Sequence, residues 1–119
     1  MTDSKSEIIT FAEGWGEDEG GFRWSFDGSA SLTLRGAAGS AVELEFGAYA
    51  PGRHTQTILV VANGGLESIL RIAGEQTRKV TVVMPDSEME IWFITNDAIS
   101  PREAEDVDDD RRLGVRLCL

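Results

Sequence analysis

An antiparallel β-sandwich, most simply a jelly roll, is the fold this sequence predicts, with about nine short strands and almost no helix. Three observations point there. Apolar and polar residues alternate with period two in successive short runs. Glycine-, proline- and asparagine-containing breaks separate those runs at regular spacing. Only one stretch, near 100–105, carries helix-start signals.

The organising stretch is Gly14 to Phe26, which gathers two of the three tryptophans and two of the five phenylalanines. An acidic, glycine-rich turn, Gly16 to Gly21, separates Trp15 from a run in which Phe22, Trp24 and Phe26 alternate with Arg23 and Ser25. That alternation reads as a half-buried core strand fed by a loop. Upstream, Glu7 to Phe11 contains Ile8-Ile9-Thr10-Phe11, a first strand suited to a sheet edge. Downstream, Asp27-Gly28 reads as a hairpin turn into a strand with Leu32 and Leu34 on one face. After the small-residue turn Gly36 to Ser40, Val42, Leu44, Phe46 and Ala48 oppose Glu43, Glu45, Gly47 and Tyr49, the clearest amphipathic strand.

Pro51-Gly52-Arg53-His54 breaks that pattern, and Thr57 to Ala62 is apolar on both faces, as an interior strand requires. Asn63-Gly64-Gly65 turns the chain back into Leu66 to Ala73, and Gly74-Glu75-Gln76 turns it again. Val80, Val82 and Met84 mark the next strand, which Pro85-Asp86 ends. Met89, Ile91 and Phe93 then oppose Glu90, Trp92 and Ile94. The last strand sets Leu113, Val115, Leu117 and Leu119 against Gly114, Arg116 and Cys118. Between these two strands, Ser100-Pro101-Arg102-Glu103 supplies a capping serine, a proline at the first helical position and a capping-box glutamate. Asp106 to Arg112 is charged apart from Val107 and reads as a solvated loop.

With 119 residues the chain fits a single domain, 1–119, large enough to bury a core without staples. Its net charge of -10 would repel nucleic-acid phosphates and anionic membranes. Membrane insertion is not expected, because no run of about 18 apolar residues occurs. The polar start Met1-Thr-Asp-Ser-Lys-Ser-Glu does not read as a signal peptide, so the expected location is cytoplasmic. The one cysteine, Cys118, fits a reducing compartment. By parity it flanks the core, which predicts an inert thiol.

Taken together, Trp15 after a glycine, Gly-Phe-Arg-Trp-Ser at 21–25, Val-Ala-Asn-Gly at 61–64, Ser100-Pro101 and Asp-Asp-Arg-Arg-Leu-Gly-Val at 109–115 carry a family resemblance. In that order and spacing the sequence resembles the β-sandwich domains appended to bacterial glycosyltransferases and polysaccharide-biosynthesis proteins, which are similar to jelly-roll carbohydrate-binding modules. It differs from that pattern at Gly16, where an aromatic often follows the tryptophan, and in having no transferase domain within its 119 residues. The resemblance implies a non-catalytic carbohydrate-binding role in surface-polysaccharide biosynthesis or glycosyl transfer. A carbohydrate or glycosylated substrate is the implied ligand, and a glycosyltransferase a partner.

Trp15 and Trp24 suit stacking on pyranose rings, although the burial habits of tryptophan favour core positions. Trp92, on one strand face with Glu90, and Tyr49, on one face with Glu43 and Glu45, are the expected platform of a shallow sheet-face site. Arg53 and His54 in one turn, with Asn96 and Asp97 in another, form its rim if both turns lie at one end. Arg111 and Arg112 suit an anionic sugar, but three preceding aspartates make an ion-pair cluster the better reading. The resemblance raises a structural calcium, for which Asp106, Asp108, Asp109 and Asp110, or Glu17, Asp18 and Glu19, offer hard oxygen ligands. Neither run matches an ordered calcium loop, and no cofactor is expected. One histidine and one cysteine fall short of a zinc site. No nucleophile elbow or phosphate loop supports an enzyme. The alternative is a structural or oligomerising accessory sandwich that binds a protein, including a homodimer.

Overall fold

A computed structural model describes residues 8–74, 76–95 and 97–118. Asn96, Glu75, Leu119 and the first seven residues, on which parts of the sequence reading fall, lie outside it. Among the described residues, nine strands and one helix follow each other as β1 (Ile8–Phe11), β2 (Phe22–Phe26), β3 (Ser29–Arg35), β4 (Ala41–Ala48), β5 (Thr55–Ala62), β6 (Gly65–Ala73), β7 (Arg78–Val83), β8 (Glu88–Thr95), α1 (Pro101–Glu105) and β9 (Leu113–Cys118). They form two antiparallel sheets, ordered β1-β3-β8-β5-β6 and β2-β9-β4-β7, the expected jelly-roll sandwich.

Alternation explains the layers. Leu32, Leu34, Ile58, Val60, Ile91 and Phe93 of the five-stranded sheet are buried against Val42, Leu44, Phe46, Val82, Val115 and Leu117 of the other. Phe46 and Phe93 meet edge to face across the gap, with ring centroids 5.2 Å apart. Burying side chains of this size stabilises the fold by roughly 1.5–3 kcal/mol each. The capping box at Ser100 and Glu103 is present in both directions, and Asp106 ends α1 in the left-handed conformation.

Two turns that look alike in sequence behave differently. Asn63 and Gly64 both adopt positive φ, 48° and 82°, and join β5 to β6 in a true hairpin. At Asp27-Gly28 only Asp27 has positive φ, 58°, and the expected hairpin is absent. β2 pairs with β9, whereas β3 pairs with β1 and β8. The turn's own backbone groups are taken elsewhere: Asp27 N–H donates to the Arg112 carbonyl, and Thr95 N–H to that of Gly28. Asp27-Gly28 therefore carries the chain from one sheet to the other.

β2 also corrects the sequence reading of its faces. The inward side chain is Ser25, 2% exposed, while Phe22, Trp24 and Phe26 are only half-buried. The reason is crowding beneath this edge. A Cβ on Gly114 would come within 2.8 Å of Ser25 Oγ, so the interior here has no room for an aromatic ring. Ser25 Oγ instead accepts a hydrogen bond from Val115 N–H at 2.7 Å.

Candidate functional site

Turning β2 over puts Trp24 on the outer face of the four-stranded sheet, where it stands in register with Arg116 of β9. Next across the sheet is Gly47 of β4. A Cβ at Gly47 would meet the Gln76 carbonyl at 3.2 Å and Arg116 Nη2 at 3.5 Å, so glycine leaves the guanidinium room to lie along the sheet. Tyr49, just past the end of β4, shares this face. Its ring lies 5.8 Å from that of Trp24 at an interplanar angle of 87°. Phe22 packs on the other side of Trp24 at 5.9 Å, and Arg116 reaches over the Phe22 ring at 5.5 Å.

Trp24, Tyr49 and Arg116 line a cleft of about 420 Å³ with Ala48, the β4–β5 turn (Ala50, Pro51, Gly52), Gly74 and Glu105 of α1. That volume is in the range of small-molecule sites. The Tyr49 hydroxyl donates to Glu105 Oε2. Burial, and then that hydrogen bond to Glu105, push the Tyr49 pKa above its ordinary value. Arg116 has no ion-pair partner among the described residues. The cleft thus offers an aromatic face, a wall perpendicular to it, a forked donor and a carboxylate acceptor.

Buried polar contacts fix this end from behind. Gln56, fully buried on β5, donates from Nε2 to the Tyr49 carbonyl at 2.5 Å and to the Leu113 carbonyl at 3.0 Å. Its Oε1 accepts from Thr95 Oγ1 at 3.0 Å. One amide therefore ties the start of β9, the end of β4 and the end of β8 together. Gly74 N–H donates to the Ala50 carbonyl, which closes the adjoining loops on each other.

The residues expected from sequence are distributed over the molecule. Trp92 lies on the outer face of the five-stranded sheet, between Ser31 and Val61, so it does not share a site with Tyr49. Trp15 is half-buried. It meets Phe11 and Phe93 edge to face, and its indole N–H donates to the Ser31 carbonyl at 2.8 Å. Arg53 and His54 are exposed in the turn that follows the cleft's rim. Asp97 is at the same end, where its carboxylate accepts from Thr57 N–H at 2.9 Å. Sequence reasoning passed over Arg116 and Glu105 and favoured the core for Trp24. The outward parity of Arg116 in 113–117 was a legible signal for it; nothing in the sequence gave the inversion of β2.

A second hollow is lined by Trp15, Glu17, Glu19, Arg23 and Arg111 among others; there Arg111 pairs with Glu19, while Arg23 lies over the Phe11 ring and donates from Nη1 to the Gly16 carbonyl, its buried Nε left without a partner among the described residues. Arg111 bridges Asp109 at 2.7 Å and Glu19 at 3.1 Å, the ion-pair cluster expected from the sequence. Arg112 donates to the Ala98 carbonyl. Asp18 is engaged by the N–H groups of Gly20 and Gly21, and among the described residues no three acidic, histidine or cysteine side chains converge on a metal position.

In comparison with solved structures, the chain is similar to a family two carbohydrate esterase from Clostridium thermocellum in complex with cellohexaose, at TM-score 0.54 and 10% identity over 94% of this chain. It spans 30% of the esterase's length. A family 35 carbohydrate binding module from an environmental isolate matches at TM-score 0.48 and 14% identity, over 94% of this chain and 93% of that one. The carbohydrate-binding module CBM36, solved with calcium and xylotriose, matches at 0.46 and 10%, over 93% and 95%. No family model matches the sequence, and no curated protein matches it. At these identities the likeness to the esterase establishes the shared β-sandwich fold.

Proposed function

We propose that this chain is a non-catalytic carbohydrate-binding domain that holds a pyranose in the cleft between Trp24, Tyr49, Arg116 and Glu105. The observation that carries this reading is the convergence of those four side chains on one outer sheet face. Because Trp24 and Tyr49 are perpendicular, one ring stacks on the C–H face of a sugar while the other bounds its edge. Arg116 donates to hydroxyl or carboxylate oxygens of the sugar, and Glu105 accepts from a hydroxyl. Binding is favoured over hydrolysis because, among the described residues, Glu105 is the one carboxylate lining the cleft, and a glycosidase works with a pair. The sequence resemblance supports a place in bacterial surface-polysaccharide biosynthesis beside a glycosyltransferase.

A glycan array spanning neutral and acidic sugars, followed by calorimetric titration of the best ligand, tests the reading. Saturable binding that Trp24→Ala and Arg116→Ala each reduce, in proteins that remain folded, is the expected result. Absence of binding across the array, or binding indifferent to both substitutions, overturns it.

A further inference from the structure

The outer face of the five-stranded sheet carries an apolar patch open to solvent. Strand register lays it out in two rows across β8, β5 and β6: Ile94, Leu59 and Ile69 in one, Trp92, Val61 and Leu66 in the other. All six point away from the core, since the residues alternating with them on β5 and β8, Ile58, Val60, Ile91 and Phe93, are the buried ones. Ile69 (61%) and Leu66 (55%) are the most exposed of the six. Contiguous apolar surface of this kind marks an interaction site, unlike single exposed side chains. The adjoining edge of β6 is closed to strand addition: its ladder with β5 is irregular between Val60 and Val61, leaving Glu67 unpaired, and Arg78 Nη2 donates to the Arg71 carbonyl. What is open here is a face of side chains.

The charges around the patch decide what fits it. β3, β5, β6 and β8 together hold two arginines and three glutamates, a net -1 against -10 for the whole chain. A second copy therefore meets less repulsion on this face than over the rest of the surface. Arg35 and Glu88 bridge each other at 3.0 Å, and Glu67 belongs to the irregular end of β6. That leaves Arg71 and Glu90, exposed on the face of the patch and without an ion-pair partner among the described residues. The Arg71 guanidinium reaches Thr55 Oγ1 at 3.5 Å, a neutral contact. Arg71 stands one row beyond Ile69 on β6, and Glu90 one row beyond Trp92 at the other end of β8, so the two mark opposite corners of the patch.

Opposite charges at opposite corners make the patch complementary to itself. We propose that two copies of this chain pack these faces together, about a two-fold axis that lies between them and crosses the strands obliquely, perpendicular to the line from Arg71 to Glu90. That axis exchanges the two corners. Each Arg71 then faces the partner's Glu90, and the apolar rows of one copy cover those of the other. Side chains alone make the contact, so it needs no free strand edge. Two rows on three strands form a small apolar centre, which suits reversible association better than a permanent dimer. The cleft of Trp24 and Arg116 lies on the other sheet and stays open, so this pairing stands apart from the sugar-binding reading.

Sedimentation velocity over a concentration series, with no sugar present, tests it on the intact chain. The expected mass rises with concentration toward twice the 13.0 kDa of one chain. Arg71→Glu or Glu90→Arg alone should weaken association about 2- to 30-fold, the scale of two exposed ion pairs lost per dimer, and the double reversal should restore it. Ile69→Lys, at an exposed position, should keep the circular dichroism spectrum and remain monomeric, because it sets a charge against the partner's apolar rows. A monomer at every concentration overturns the proposal and leaves the face to a different protein. A dimer that survives Ile69→Lys, single reversals without effect, or single reversals that the double does not rescue overturn it as well.

Discussion

The two outer faces of the sandwich each present a tryptophan, yet in different company. On the four-stranded sheet Trp24 stands beside Arg116, Tyr49 and Glu105, under loops that give the face a wall. On the five-stranded sheet Trp92 lies between Ser31 and Val61, with Ile94 further along its own strand and Leu59 opposite Ile94. The first face can stack on a sugar and hydrogen-bond its hydroxyls; the second holds one acceptor, Glu90, on the strand face of Trp92, but the paired neighbours Ser31 and Val61 bring neither a guanidinium nor a second ring. An exposed aromatic marks a sugar site only where donors and acceptors converge with it.

The largest effect expected from breaking this contrast comes from behind the polar face. Gln56→Leu leaves the carbonyls of Tyr49 and Leu113 and the Thr95 hydroxyl without their buried partner. At about 1–3 kcal/mol per buried unsatisfied group, partly recovered by relaxation, urea unfolding should show a loss of about 2–4 kcal/mol. A loss under about 0.5 kcal/mol would mean that the amide does not hold this end together.

Next in size is the comparison of the two tryptophans. Trp24→Ala should weaken sugar binding by about 1–3 kcal/mol in calorimetry, on the scale of aromatic stacking with partial apolar burial. Trp92→Ala should change it by less than about 0.5 kcal/mol, as a position away from the site. The reverse ranking would move the site to the five-stranded sheet.

The Tyr49–Glu105 contact sharpens the contrast through pH. Tyr49 is the single tyrosine, so an ultraviolet difference titration reports it alone. Its folded pKa lies above the unfolded value. The contact therefore adds stability that is fully present below about pH 10 and is lost as pH rises through the folded pKa. Tyrosinate should appear only above about pH 10, and Glu105→Gln should bring its midpoint back toward that value. A wild-type midpoint at the ordinary tyrosine value would rule the contact out.

The smallest effect belongs to the exposed acidic loops beyond both faces. Hydrogen bonds from Gly21 and Gly20 hold the Asp18 carboxyl below its ordinary range, and Arg111 does the same for Asp109. Carboxyls with depressed pKa values contribute stability above their unfolded values, near pH 4, which falls away as pH drops through the folded ones. Asp18→Asn should shallow the acid limb of a stability–pH curve slightly and leave neutral-pH sugar affinity unchanged. An unaltered acid limb would show that the Asp18 turn is not linked to folding.

By itself the sequence determined the strands, most of their inward faces and the capped helix. Those depend on period-two alternation and on local hydrogen-bonding chemistry, as in Val42 to Ala48 and Ser100 to Glu103. Only the tertiary structure decided which strands pair and which way β2 faces. Asp27-Gly28 and Asn63-Gly64 are similar dipeptides, but partners brought from distant parts of the chain, Arg112 and Thr95, claim the first turn's backbone groups. Likewise Trp24 points outward because Gly114 and Ser25 close the space beneath it. Alternation specifies that two faces exist; which of them meets the core depends on volumes supplied by residues far away in the chain.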